Sequence, residues 1–188
     1  GQLTVSVPYT LKAGEDASRL VVWFMKDDGT LECRAASYDA KTASVTFTTT
    51  HLSRYIVAEF PFTDVPSDSY YYTAAAWAVN NGVTGGKASG IFAPSDTCTR
   101  AQVVTFLWRA MGSPEPSSTV CPFSDVNSNA YYYKAVLWAV EKGITKGTTD
   151  TTFSPDAAVS RAQTVTFQWR AAGSPAPETC ILIDDTPA

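Results

Sequence analysis

Histidine is all but missing from this sequence: His51 stands alone among 188 residues. The four cysteines, Cys33, Cys98, Cys121 and Cys180, form no Cys-x-x-Cys pair. A structural zinc site needs closely spaced Cys or His ligands, so no metal site is expected. No Ser/His/Asp set, metal-ligand cluster or phosphate loop is apparent either, which argues against an enzyme and implies no cofactor. Basic excess is also lacking. Fourteen Lys and Arg stand against 18 Asp and Glu, for a formal charge of −4. Nucleic-acid binders carry a basic footprint, so that class is excluded. No apolar run nears the ~18 residues of a membrane span. No secretion signal opens the chain. It starts GQLTVSVPY, in mid-strand by pattern, which reads as a processed fragment whose targeting segment has been removed.

What is present is a chain with 45% hydrophobic and only 17% charged residues, a globular rather than disordered balance. From Gly1 to about Phe60 the pattern is that of strands. LTVSVPY, RLVVWFM, LECRAAS, ASVTFTT and RYIVAEF are short runs rich in Val, Tyr, Phe and Thr. Turn residues separate them, and Asp28-Gly29 predicts a hairpin. Five strands without helices predict an antiparallel sheet or small sandwich, possessing too few residues for a complete sandwich domain and therefore read as the C-terminal part of a larger one.

From Phe62 the pattern turns helical and repeats. Residues 62–113 align with 123–174 without a gap, at a spacing of 61. Identical pairs include Phe62/Phe123, Asp64/Asp125, Trp77/Trp138, Gly82/Gly143, Phe92/Phe153, Pro94/Pro155, Arg100/Arg161 and Trp108/Trp169. Repetition of this kind means one supersecondary unit used twice. Each unit reads as helix, loop, helix. The first helix is predicted over Tyr70–Asn81 and Tyr131–Lys142, with Gly82 and Gly143 as C-terminal caps. The second starts at Thr99 or Ser160. There Thr99-x-x-Gln102 and Ser160-x-x-Gln163 fit a capping box, and Gly112 and Gly173 end the helix. SPEPSSTV and SPAPE read as extended linkers. Residues 175–188 then repeat the opening of a unit, with Cys180 through Asp185 echoing Cys121 through Val126, and stop. The expected organisation is 1–60, a β-rich segment; 62–113 and 123–174, two repeats; and 175–188, a linker and truncated third repeat. The expected fold class is α+β, an antiparallel sheet or sandwich followed by an all-α tandem repeat.

Arg100 and Arg161 open their helices, where partial positive charge favours anions. Two readings stay open. One is anion capture, with a guanidinium fork and unpaired N–H groups gripping a carboxylate. The other is a structural ion pair with Asp64 or Asp125. Those aspartates read as caps of nearby backbone N–H groups or as acceptors for a ligand. Gly86 and Gly147 read as tight-turn residues that also let backbone approach a ligand. Of Tyr70–Tyr72 and Tyr131–Tyr133, at least one in each run is expected in the core. The four tryptophans of the repeats are assigned to the core. Arg109 and Arg170, in last turns where cations are favoured, are read as structural, and His51 as a turn or core-edge residue.

The ordered motifs resemble the S-layer homology repeat. Phe62-Thr-Asp64-Val65, Gly82-Val-Thr-Gly-Gly86, Phe92-Ala-Pro94 and Thr99-Arg-Ala-Gln102 follow its pattern. So do Phe123-Ser-Asp125-Val126, Gly143-Ile-Thr-Lys-Gly147, Phe153-Ser-Pro155 and Ser160-Arg-Ala-Gln163. The resemblance covers roughly 62–174. It implies a secreted bacterial surface protein without catalysis. Such repeats usually form a three-fold helical prism, here incomplete, whose grooves hold secondary cell-wall polysaccharide through a pyruvylated sugar. On this resemblance the ligand-binding residues are Arg100, Arg161, Asp64, Asp125, Gly86, Gly147, Gln102, Gln163, Tyr70 and Tyr131. The alternative is a surface scaffold or adhesin that uses the fold for contacts with itself or a host protein. Three departures bear on that choice: Gln102 and Gln163 replace an acidic residue, Tyr70 and Tyr131 replace a common Trp, and only two full repeats are present. Four cysteines allow three full pairings; in a prism Cys98–Cys121 is the candidate disulfide, with Cys180 left free or paired with Cys33 or with another chain.

Overall fold

The computed structural model describes residues 1–27, 29 and 31–176. Asp28 of the hairpin turn, and Cys180, Asp184 and Asp185 of the truncated third repeat, lie outside the described residues. The chain divides into two compact units, Gly1–Asp96 and Thr97–Ala188. The boundary falls inside the first repeat, between its Phe-x-Pro loop and its second helix.

The first unit holds β1 (Leu3–Pro8), β2 (Leu20–Met25), β3 (Leu31–Asp39), β4 (Ser44–Thr49), β5 (Arg54–Glu59) and α1 (Tyr72–Asn80). All strand pairs are antiparallel, in the order β1-β4-β3-β2-β5. β3 is shared: Leu31–Ala35 pair with β2, and Ala36–Asp39 pair with β4. That change of partner curls one sheet into a half-barrel instead of stacking two as a sandwich. β2 reads LVVWF without alternation because both of its faces are covered. Leu20 and Val22 join Val45 and Phe47 in the concave core. Val21 and Trp23 point the other way, onto Phe60 at the end of the β-rich segment and Phe62, Val65, Tyr72, Ala75 and Ala76 of the first repeat. Asn80 closes this contact by donating to the Leu31 carbonyl.

The second unit holds α2 (Arg100–Ala110), α3 (Tyr133–Glu141) and α4 (Arg161–Ala171). Its core joins Ala101, Val103 and Val104 of α2 to Ala135, Val136, Trp138 and Ala139 of α3, with Phe123, Ile144, Phe153 and Phe167. The predicted capping boxes form. Thr99 and Ser160 accept from the Gln102 and Gln163 amides, and each Gln side chain accepts from the cap backbone. Gly82 and Gly143 end α1 and α3 in Schellman turns, in which Val83 donates to Ala78 and Ile144 to Ala139, both at 2.8 Å.

Three expectations change. The repeats are not all-α, and the incomplete three-fold prism gives way to a curled sheet with four short helices. The helices run only 9 or 11 residues because Thr-, Gly- and Pro-rich loops satisfy their backbone through side chains and isolated bridges, Ala88 with Ile91 and Thr99 with Ala158. α1 and α3 begin two residues later than predicted. Tyr72 and Tyr133 donate back to Ser69 and Ala130, so turns occupy the expected first helical residues. Of the four repeat tryptophans, Trp138 is buried, Trp108 is half-buried, and Trp77 and Trp169 are exposed. The indole N–H groups of Trp108 and Trp169 donate to the carbonyls of Pro114 and Pro175, which keeps those two rings at the ends of their helices.

Candidate functional site

The aspartate of each Phe-x-Asp-Val motif clamps the Phe-x-Pro loop of its own repeat. Asp64 accepts from the amides of Phe92 (2.8 Å) and Ala93 (2.7 Å), and Asp125 from Phe153 (2.8 Å) and Ser154 (2.7 Å). The capped groups lie 28 and 29 residues downstream, not in the adjacent helix as the sequence reading had it. The clamp holds Ala93 and Ser154 at φ 59°, a left-handed conformation uncommon for residues with a Cβ. These hydrogen bonds hold the Asp64 carboxyl below its ordinary value, against the opposing effect of burial. Gly147 completes the loop at φ +88°. A Cβ there would lie 2.5 Å from the Phe123 ring and 2.6 Å from two carbonyl oxygens, so only glycine fits. Gly86 sits against Phe62 in the same way.

Arg100 does not face solvent. It is 4% exposed and enters the loop of the second repeat. Its Nε donates to the Phe153 carbonyl at 2.9 Å, and an Nη reaches the Thr145 hydroxyl at 3.3 Å. The guanidinium lies over the rings of Phe153 (5.0 Å) and Phe167 (5.3 Å). Burial lowers its pKa, and the Asp125 charge opposes that shift. The orphan amides of α2 are used as well: Arg100 N donates to Ala157 (2.9 Å) and Ala101 N to Pro155 (3.0 Å), while Val159 donates to Cys98 (3.1 Å). The arginine thus meets carbonyls, a hydroxyl and aromatic faces of the following repeat. The Asp it senses is Asp125, not Asp64 of its own repeat.

Arg161 occupies the same helix position in α4 and is exposed. Gln102 and Gln163 serve in the capping boxes. Cys98 and Cys121 are separate free thiols rather than a disulfide. The Cys98 carbonyl accepts from the Val159 amide, and Cys121 packs on the core.

The tyrosine runs straddle the helix starts, and the core position expected in each run is filled in the first only: Tyr132 and Tyr133 of the second are half-buried against the core. Tyr72 is buried; Tyr70 is 97% exposed and Tyr131 59%. In each repeat the first two rings meet edge to face at 5.1 Å. Two charged groups act on Tyr131: Arg109, which the sequence reading took as structural, and Asp156, which it passed over. Burial, Tyr132 and Asp156 raise its phenol, and Arg109 acts against them. An open aromatic face with a cation and a carboxylate within electrostatic range can stack on a sugar ring and hold its charged or hydroxyl substituents. Arg109 is read from the sequence as structural because the last turn of a helix already accounts for a cation, and Asp156 carries no signal because it directly follows the Phe-x-Pro motif.

The two-fold use of one loop-and-helix unit, with the second helix of one copy locked into the loop of the next, defines a tandem-repeat module. The S-layer homology domain matches residues 61–104 and 122–165, and both repeats belong to that family. The chain is similar to an endoglucanase of Bacillus sp. (strain KSM-635), 35% identical over 112 residues, which is 60% of this chain and 12% of the relative. It is similar to a cell surface protein of Thermoanaerobacter kivui, 31% identical over 120 residues, 62% of this chain and 16% of the relative. A surface-layer 125 kDa protein of Lysinibacillus sphaericus is 35% identical over 94 residues, 50% of this chain and 8% of the relative. The chain therefore spans a small part of these relatives' length. Family and relatives together point to the cell surface, in association with the wall.

Proposed function

We propose that this chain is a non-catalytic module that fastens its parent protein to the bacterial wall by binding an anionic, pyruvylated secondary polysaccharide. One observation carries the reading. The same region is similar to an endoglucanase and to surface-layer proteins, whose names share no catalytic activity, so surface attachment is what such a region supplies in common. In this reading a sugar stacks on Tyr131, Arg109 pairs with its carboxylate, and Asp156 accepts its hydroxyls. Arg100 is committed inside the protein and acts by fixing the loop that carries Asp156. The Asp125 and Gly147 clamp serves the same end.

The test is binding of the whole chain to purified wall, compared with Tyr131→Ala and Arg109→Gln. Both variants should lose most of the binding while keeping wild-type circular dichroism. Undiminished binding by both would refute the assignment of Tyr131 and Arg109, and no binding by the wild type would refute the anchor.

A further inference from the structure

α2 and α4 carry the same face in different surroundings. In α2, Arg100, Ala101, Val103, Val104 and Thr105 are buried, and Arg100, Ala101, Val103 and Val104 pack with the second repeat. In α4 the matching Arg161, Ala162 and Val165 are exposed, Val165 at 59%. Among the described residues the Arg161 guanidinium has no hydrogen-bond or ion-pair partner. The amides of Arg161 and Ala162, whose counterparts donate to Ala157 and Pro155, have no acceptor there either.

The other half of the same contact is open in the first repeat. Phe153, Pro155 and Thr145, which receive α2, are buried. Their counterparts are less covered: Phe92 and Thr84 are half-buried, and Pro94 is exposed. The Asp64 clamp sets this loop as Asp125 sets its own, with Ala93 and Ser154 at the same φ of 59°. Among the described residues no donor reaches the carbonyls of Phe92, Pro94 or Asp96. One chain thus presents an unmatched donor face and an unmatched acceptor loop, and its own α2 contact shows that the two chemistries match.

We propose that the N-terminal face of α4 docks onto the Thr84–Asp96 loop of a second copy of this chain, with Arg161 taking the place that Arg100 takes in the second repeat. The occupant is argued from complementarity. Arginine and two amides supply donors, while three carbonyls, a threonine hydroxyl and an aspartate carboxylate of the same sequence pattern supply acceptors. Such an interface is head-to-tail, so copies join as a closed ring or an open chain.

The experiment is sedimentation velocity on the whole chain without any polymer, from about 1 μM to about 1 mM, the span in which weak association is read. The wild type should rise above the mass of one chain as concentration increases. Arg161→Glu, which spoils the donor, and Pro94→Arg, which blocks the acceptor, should each stay monomeric. Both sites are exposed, and circular dichroism checks that each variant is folded. Mixed together, the two variants should recover a one-to-one complex, because each keeps the half the other lost. A wild type that is monomeric throughout overturns the proposal and leaves the α4 face to the chain's own C-terminal segment or to another protein. Association that survives in both variants, or a mixture that stays monomeric, overturns it equally.

Discussion

Replacing Arg100 by alanine should cost far more than the same change at Arg161, although the two share a motif. Arg100 loses a 2.9 Å charged hydrogen bond and a longer one, and leaves the buried Phe153 carbonyl unpaired. Hydrogen bonds from charged groups contribute about 1.5–3 kcal/mol each, and a stranded buried acceptor costs about 1–3 kcal/mol. Two aromatic faces add about 0.5–2 kcal/mol. Against this stands the desolvation that the charge no longer incurs, several kcal/mol in idealised terms. The net expectation is a loss of about 2–4 kcal/mol. At Arg161, exposed and without a described partner, the change should stay within about 0.5 kcal/mol in dilute solution. Urea unfolding of both variants at low micromolar concentration, followed through tryptophan emission, reads the difference. Arg100→Lys should fall near Arg100→Ala, since an ammonium lacks the planar fork and its Nε donor. Equal losses at 100 and 161, or a loss at 100 below about 1 kcal/mol, would refute the role given to the buried guanidinium.

Other outcomes follow from the same geometry. Gly147→Ala should destabilise by clearly more than Gly143→Ala. Both have positive φ, but a Cβ at 143 meets nothing within 4 Å, so only the backbone cost of about 1–2 kcal/mol applies there; urea midpoints decide it. Asp64 has a depressed pKa, so its contribution is complete above the ordinary Asp value of about 3.9 and is lost as pH falls through its lower folded value. The stability gap between wild type and Asp64→Asn should therefore narrow in acid, measured by urea melts on both sides of that window. Burial pushes the Cys33 thiol up to about 11, opposed by its hydrogen bond with Tyr72, so at about pH 8 it should resist iodoacetamide while exposed Cys98 is labelled, as read by peptide mass.

Much of this was legible in the residues. Repetition at a spacing of 61 fixes the two units, and Thr99-x-x-Gln102 and Ser160-x-x-Gln163 announce their capping boxes because those hydrogen bonds are local. The motifs also carry the family. What failed was long-range. Five strands do not reveal whether they form one curled sheet or two layers, because β3 changes partner midway without any glycine or proline to mark it. Asp64 and Asp125 look like helix caps, since a residue that caps groups 28 positions away has the same local sequence. Arg100 and Arg161 are indistinguishable in sequence, and the burial of Arg100 comes from the Phe153 loop of the second repeat, which no local motif marks. The Tyr131 surroundings combine the end of α2, the start of α3 and a loop, which no single motif encodes.

The central claim is attachment to wall polymer, and isothermal titration with purified secondary polysaccharide tests it most directly. Native and depyruvylated polymer should be run side by side against wild type and Tyr131→Ala. The account predicts heat of binding for the wild type with native polymer, and its loss on removing either the pyruvyl groups or the Tyr131 ring. Absence of binding to native polymer, or equal binding to both polymers, would contradict it.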